Sequence, residues 1–212
     1  MTSALLLIDL QNDFCPGGAL AVTEGDQTIA VANQAIAACS NAGWHIVASQ
    51  DWHPENHRSF AVNSGQQAWT LGELEGLPQV WWPAHCIEQQ SGADFHPELN
   101  KAAITFVVHK GQNADIDSYS AFFDNGKLAA TGLDEWLHQQ QITHLVVMGL
   151  ATDYCVKFSV LDALSLGYQV TLIAEGCRAV NLAASDGEQA ILDMQQAGAQ
   201  IQTLQTWLST LA

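Results

Sequence analysis

Val147-Met148-Gly149-Leu150-Ala151-Thr152-Asp153-Tyr154-Cys155 is the stretch on which the reading of this chain turns. An apolar run from His144 to Met148 has the length and continuity of a buried strand. It breaks at a glycine, and a helix is expected to start at Asp153. A thiol in the first turn of that helix meets unpaired N–H groups and the positive end of the dipole, which favour the thiolate. A lone cysteine is more often a small buried hydrophobe. What decides between the two readings is the company Cys155 keeps.

Working outward, short apolar runs alternate with helical stretches. Strands are expected at Ala4–Ile8, His45–Ser49, Ile104–His109, His144–Met148, Gln169–Ala174 and, from a weaker pattern, Gln200–Leu204. Helices are expected at Gln27–Asn41, Leu133–Gln140, Asp153–Leu166, Ser185–Ala197 and Gln205–Leu211. Strands this continuously apolar are covered on both faces, as in a parallel sheet of right-handed βαβ units. The class is therefore α/β: an open, doubly wound, mostly parallel sheet of about six strands with helices on both faces. The whole of 1–212 is expected to be one domain. One interval breaks the rhythm. Asp51 to about residue 100 shows no clear period and carries Trp52, Trp69, Trp81, Trp82, His53, His57, His85 and His96. A plain loop of that length is rare in a compact domain, so a folded excursion contributing to a site is expected.

Charge narrows the partners. Twenty-two acidic residues against six Lys plus Arg give a formal net charge of −16 in 212 residues. Such a surface repels phosphate backbones and anionic lipid, which argues against nucleic acid and membrane and for a small neutral or cationic ligand. The apolar run Ala4–Ile8 is not preceded by a basic residue and is interrupted by Asp9, so it reads as a strand rather than a signal or a span. Five cysteines with no close pair argue against a disulfide framework and for a reducing cytoplasm.

In an open parallel sheet, ligands bind beyond the carboxyl ends of the strands. Asp9 ends the first expected strand, Asp51 and His53 follow the second, Lys110 follows the third and Cys155 follows the fourth. A thiol attacking a carbonyl needs a base, and an amide leaving group needs an acid; one carboxylate, Asp9, can serve as both in turn. Lys110 beside it would hold Asp9 ionised and favour the thiolate. Asp51-x-His53 places a carboxylate and an imidazole on one side of an extended segment, where they could share a cation. By spacing alone the pair fits equally a turn aspartate with a hydrogen-bonded histidine. A third ligand is needed, and His85 in Trp81-Trp82-Pro83-Ala84-His85-Cys86 is the best candidate. Three protein ligands leave positions open for water or substrate, the pattern of a working site.

As a set, these residues resemble the nicotinamidases of the cysteine-hydrolase, or isochorismatase-like, superfamily. The stretches that carry the resemblance are Leu7-Ile8-Asp9-Leu10-Gln11-Asn12-Asp13-Phe14, Ser49-Gln50-Asp51-Trp52-His53-Pro54, Trp82-Pro83-Ala84-His85-Cys86, His109-Lys110-Gly111, Asp117-Ser118-Tyr119-Ser120-Ala121-Phe122 and Gly149 to Cys155. The resemblance implies hydrolysis of nicotinamide to nicotinate and ammonia in NAD salvage, with pyrazinamide also cleaved. It implies Cys155 as nucleophile, Asp9 as proton shuttle and Lys110 as their electrostatic partner. Asp51, His53 and His85 would hold one divalent ion, zinc in the first instance, with iron or manganese as alternatives. Phe14 and Trp82 match residues that sandwich the ring, and Tyr119 matches a wall residue. The backbone N–H groups of Ala151 and Cys155 would face the oxyanion, after a cis peptide before Ala151; such donors are worth ~3 kcal/mol each in a transition state. His57 lies near the metal pair, where some relatives recruit an extra histidine; it is read as a solvated loop histidine, with a further ligand as the alternative. The rival readings are a superfamily amidohydrolase acting on a carbamoyl or ureido group and a binding module that kept the fold. The sequence leaves the oligomeric state undecided.

Overall fold

The computed structural model describes residues 2–211. Its strands are β1 (Ser3–Ile8), β2 (His45–Asp51), β3 (Leu71–Leu74), β4 (Leu77–Val80), β5 (Phe106–Lys110), β6 (His144–Leu150), β7 (Gln169–Arg178) and β8 (Gln200–Gln202). Its α-helices are α1 (Gln27–Asn41), α2 (Ala61–Ser64), α3 (Leu133–Gln139), α4 (Lys157–Ser165), α5 (Asp186–Gln196) and α6 (Leu204–Leu208). A π-helical turn, Thr152–Val156, leads into α4. No helix among the described residues is long and apolar enough to cross a membrane.

Six strands form one sheet in the order β5-β2-β1-β6-β7-β8, and every neighbouring pair is parallel. Central β1 is buried at every position, which is why its sequence is apolar without alternation. The edge strands β5 and β8 are short and only partly buried. From β1 the chain steps to β2 on one side, and from β6 it steps to β7 on the other. Right-handed crossovers in opposite directions put α1 and α4 on opposite faces. The packing agrees: α1 lies against α6, α4 lies against α5, and both pairs touch β7. The strand order therefore reverses between β1 and β6. That reversal opens a crevice beyond their carboxyl ends.

One expectation needs correction. Gly149 does not end β6, which runs on to Leu150. The glycine is there because β1 and β6 come very close: a Cβ at Gly149 would stand 2.1 Å from the Ile8 carbonyl oxygen. Its pairing with β7 shifts register between Val147 and Gly149, the mark of a bulge. The unpatterned interval contains a β-hairpin, β3–β4. Its turn residues Glu75 and Gly76 both have positive φ, 50° and 76°, the geometry of a two-residue hairpin turn. Four-residue strands and a proline at position 78 hid it from a periodicity reading. The hairpin packs Leu74 with Ala61 and Trp81 in a small satellite core.

Candidate active site

Asp9 and Cys155 flank the crevice. Asp9 follows β1 with φ 48°, a left-handed turn that aspartate tolerates. Past β6 the Leu150–Ala151 peptide is cis, and Cys155 sits in the π-helical turn that follows. Lys110 is the last residue of β5 and pairs in register with Asp51, the last of β2. Strands stand ~4.8 Å apart, so β5 lies two strands from β1, a span the long lysine stem covers. Its Nζ donates to Asp51 Oδ1 at 2.9 Å, to the Ser118 carbonyl at 3.0 Å and to Cys155 Sγ at 3.4 Å. It also lies 3.0 Å from Asp9 Oδ2. Ser49 donates to the other Asp9 oxygen at 2.6 Å. All of these side chains are buried.

Burial is the dominant force on each charge here. Burial would neutralise Lys110, but the facing carboxylates of Asp51 and Asp9 outweigh it and hold the ammonium well above its usual range. Burial likewise would raise Asp51, but His53 and Lys110 hold it well below the carboxylate range. At Asp9 burial wins over Lys110, aided by repulsion from Asp51, and the carboxyl is raised. The Cys155 thiol is raised well above 9.0, by burial first and then by Asp9 and Asp51, against the pull of Lys110. The expected resting thiolate is thus corrected: Lys110 does touch the sulfur, but desolvation exceeds its effect. A neutral thiol beside a carboxylate of raised basicity is suited to proton transfer at the moment of attack.

The second cluster adjoins the first through Asp51. Asp51 Oδ2 lies 3.0 Å from His53 Nε2 and 3.2 Å from His85 Nε2. Those separations match the edges of a coordination shell with ligand bonds of ~2.1 Å. The tautomers fit as well. His53 Nδ1 donates to the Gly111 carbonyl at 2.9 Å, and His85 Nδ1 donates to the Pro83 carbonyl at 2.8 Å. A carbonyl only accepts, so each Nδ1 carries a hydrogen, and Nε2, which faces the shared centre, is the nitrogen each ring can offer to a cation. The donor set fits a divalent ion such as zinc.

The cleft over these groups has a volume of ≈ 330 Å³ counted to its open mouth. Phe14, Trp82, Tyr119, Ala151 and Cys155 all line it, together with Asp51 and His85. Trp82 Nε1 donates to the Tyr119 hydroxyl at 3.2 Å, and Trp82 stands edge-on to Tyr154 at 4.9 Å. Leu20, Asp117, Tyr154 and Val180 complete the lining; the sequence reading gave them no role. Asp117 and Tyr154 lay inside quoted motifs, whereas Leu20 and Val180 carried no signal. Gln11 and Asp13 were also passed over. Gln11 clamps the backbone of Asp51, accepting from its N–H at 2.8 Å and donating to its carbonyl at 2.8 Å. Asp13 accepts from the Cys86 N–H at 2.7 Å, next to His85. His57 is fully buried, not solvated as expected: its ring packs 4.3 Å from that of His53. Burial, then His53, lowers it to about 4.

Comparison with known proteins identifies the family. Residues 3–206 match the Isochorismatase domain family. The chain is 56% identical to the nicotinamidase of Escherichia coli (strain K12), over 98% of this chain and 97% of that protein. It is similar to the solved nicotinamidase/pyrazinamidase of Acinetobacter baumannii, with TM-score 0.92 and 40% identity, covering 97% and 98% of the two chains. The pyrazinamidase of Pyrococcus horikoshii, solved in complex with zinc, aligns with TM-score 0.79 and 33% identity over 96% and 99%.

Proposed function

The chain belongs to the Isochorismatase domain family, and on that premise we propose that it hydrolyses nicotinamide to nicotinate and ammonia through a thioester on Cys155. Pyrazinamide, with a similar ring and carboxamide, is cleaved as well, and the reaction serves NAD salvage. Five unpaired cysteines fit a reducing compartment, the cytoplasm. One observation carries the mechanism: sulfur, carboxylate and ammonium meet in one buried contact set beneath a cleft walled by aromatic side chains.

The ring lies between Phe14 and Trp82, with Tyr119 closing one side. Asp51, His53 and His85 would hold a divalent ion, zinc in the first instance, which when bound would supply a fixed positive centre to orient the pyridine ring. Asp9 takes the thiol proton as Sγ bonds to the carboxamide carbon. The oxyanion forms against the N–H groups of Ala151 and Cys155. Asp9 then delivers that proton to the amide nitrogen, the C–N bond breaks and ammonia leaves. Water attacks the thioester with Asp9 again accepting the proton, the C–S bond breaks, nicotinate departs and the proton returns to sulfur. Lys110 stays charged throughout and holds both carboxylates in place. Its four contacts leave it no freedom to serve as an acid itself.

The test is ammonia release from nicotinamide by the purified chain and by its Cys155→Ala variant. Turnover by the parent and none by the variant is the expected result. Substantial turnover by Cys155→Ala that disappears on chelation would instead make the cation-activated water the nucleophile. Faster cleavage of a carbamoyl or ureido compound would move the substrate class.

A further inference from the structure

A second set of ligand-type atoms overlaps the first. His53, His57 and Asp117 each place one such atom within 4.8 Å of the others, and all three are buried. Two cations cannot share this region. His53 Nδ1 is committed as donor to Gly111, so His53 can offer a cation only Nε2, and that nitrogen already faces Asp51.

The tautomer of His57 decides its part. Its Nδ1 receives the backbone N–H of Ser59 at 3.1 Å and lies 2.7 Å from the Ser59 hydroxyl. A backbone N–H only donates, so Nδ1 carries the lone pair and Nε2 carries the hydrogen. This is the reverse of His53 and His85. Nε2 is buried and has no protein partner, an arrangement that is costly unless something accepts from it. Asp117, opposite, has each oxygen engaged once, by Gln79 Nε2 at 2.8 Å and by the Ser118 N–H at 2.8 Å. Each carboxylate oxygen retains capacity to accept once more.

We propose that His57 is a positioning residue of the cation site and not a fourth ligand: with Asp117, it holds a solvent oxygen against the open side of the Asp51–His53–His85 set. The hydrogen-bond accounting closes around one water. It accepts from His57 Nε2–H, donates to Asp117 and keeps a second lone pair for the cation. The proposal rests on the reading of Asp51, His53 and His85 as ligands, and the test separates the two.

Zinc-loaded parent protein is measured by X-ray absorption at the zinc edge, which counts imidazole ligands. Two imidazoles are expected; three would overturn the proposal without recourse to any variant. Zinc affinity is then compared by chelator competition in the parent, His57→Ala and His57→Gln. His57→Ala is expected to bind zinc about tenfold more weakly, with most of the loss restored by the amide N–H of His57→Gln and the imidazole count unchanged. Undiminished affinity in His57→Ala, or no restoration by Gln, would overturn it. A parent chain that takes up no zinc would remove the three-ligand site itself, a failure distinguishable from all of these.

Discussion

Replacing Gly111 by alanine asks whether the cation site is held to a tolerance smaller than one methyl group. A Cβ built at Gly111 falls 2.4 Å from His53 Cε1, 2.6 Å from Nδ1 and 3.2 Å from Asp51 Oδ1. Carbon atoms settle ~3.5 Å apart, so the ring must retreat by about 1 Å. Metal–ligand distances tolerate only ~0.2 Å, and the displaced ring also loses the 2.9 Å hydrogen bond to the Gly111 carbonyl, worth about 1 kcal/mol. The residue's φ of +70° adds ~1–2 kcal/mol of backbone strain for any L side chain. Gly43 separates these effects, because it has the same φ of +70° and nothing within 4 Å of its built Cβ. Gly43→Ala should therefore cost stability through the backbone alone and leave zinc affinity untouched. Gly111→Ala should lose more stability and bind zinc at least ~100-fold more weakly, given what even outlying partners of a ligand contribute. Chelator competition reads the affinity and urea unfolding of the metal-free proteins reads the stability. A Gly111→Ala protein that binds zinc within about threefold of the parent would refute the reasoning, since His53 would then not be the ligand its surroundings fix.

Other perturbations probe the remaining parts. Asp9 raises the Cys155 thiol both by charge and by hydrogen bond, so Asp9→Asn should speed alkylation of Cys155 by iodoacetamide while abolishing ammonia release; slower alkylation would contradict the electrostatic reading. Gln11→Leu removes the clamp on the Asp51 backbone and should weaken zinc binding about tenfold, with the rate of Cys155 alkylation unchanged, which mass spectrometry can follow. Asp51→Ala should raise KM for nicotinamide by more than it lowers kcat, because the ion orients the ring; steady-state kinetics on the zinc-supplemented protein would decide. His57 supplies a pH signature in the metal-free protein. Its value falls from 6.5 to about 4 on folding, so between those limits the unfolded chain binds more protons and stability falls as pH is lowered through the window. The difference amounts to about 3 kcal/mol, and the parent minus His57→Gln in urea midpoints from pH 7 to pH 4 should show that loss in the parent alone.

What the sequence conveyed followed from how each feature is encoded. Buried parallel strands are written in contiguous residues, so β1, β2 and β6 could be read from apolar runs alone. The crevice followed from topology, because Asp9, Asp51, Lys110 and Cys155 each sit at or just past a strand's carboxyl end. Gln11 and Asp13 were passed over because their partners are backbone groups, the N–H and carbonyl of Asp51 and the N–H of Cys86. A backbone group leaves no mark in the identity of the residue that carries it. The protonation of Cys155 was misjudged for a related reason. Helix start and lysine are local features visible in sequence, whereas desolvation depends on everything packed around the sulfur and is known only after folding.

His57 shows the same distinction most sharply. In sequence it is one histidine among several in a polar stretch, with nothing to tell ligand from bystander. The discriminating fact is which ring nitrogen already has a partner, and that partner is a backbone group in all three cases: Gly111 for His53, Pro83 for His85, Ser59 for His57. Two carbonyls leave Nε2 as the nitrogen free to ligate, and one N–H leaves it protonated. Residue type proposes a metal ligand, but the main chain around it determines whether the nitrogen facing the ion has a lone pair to give.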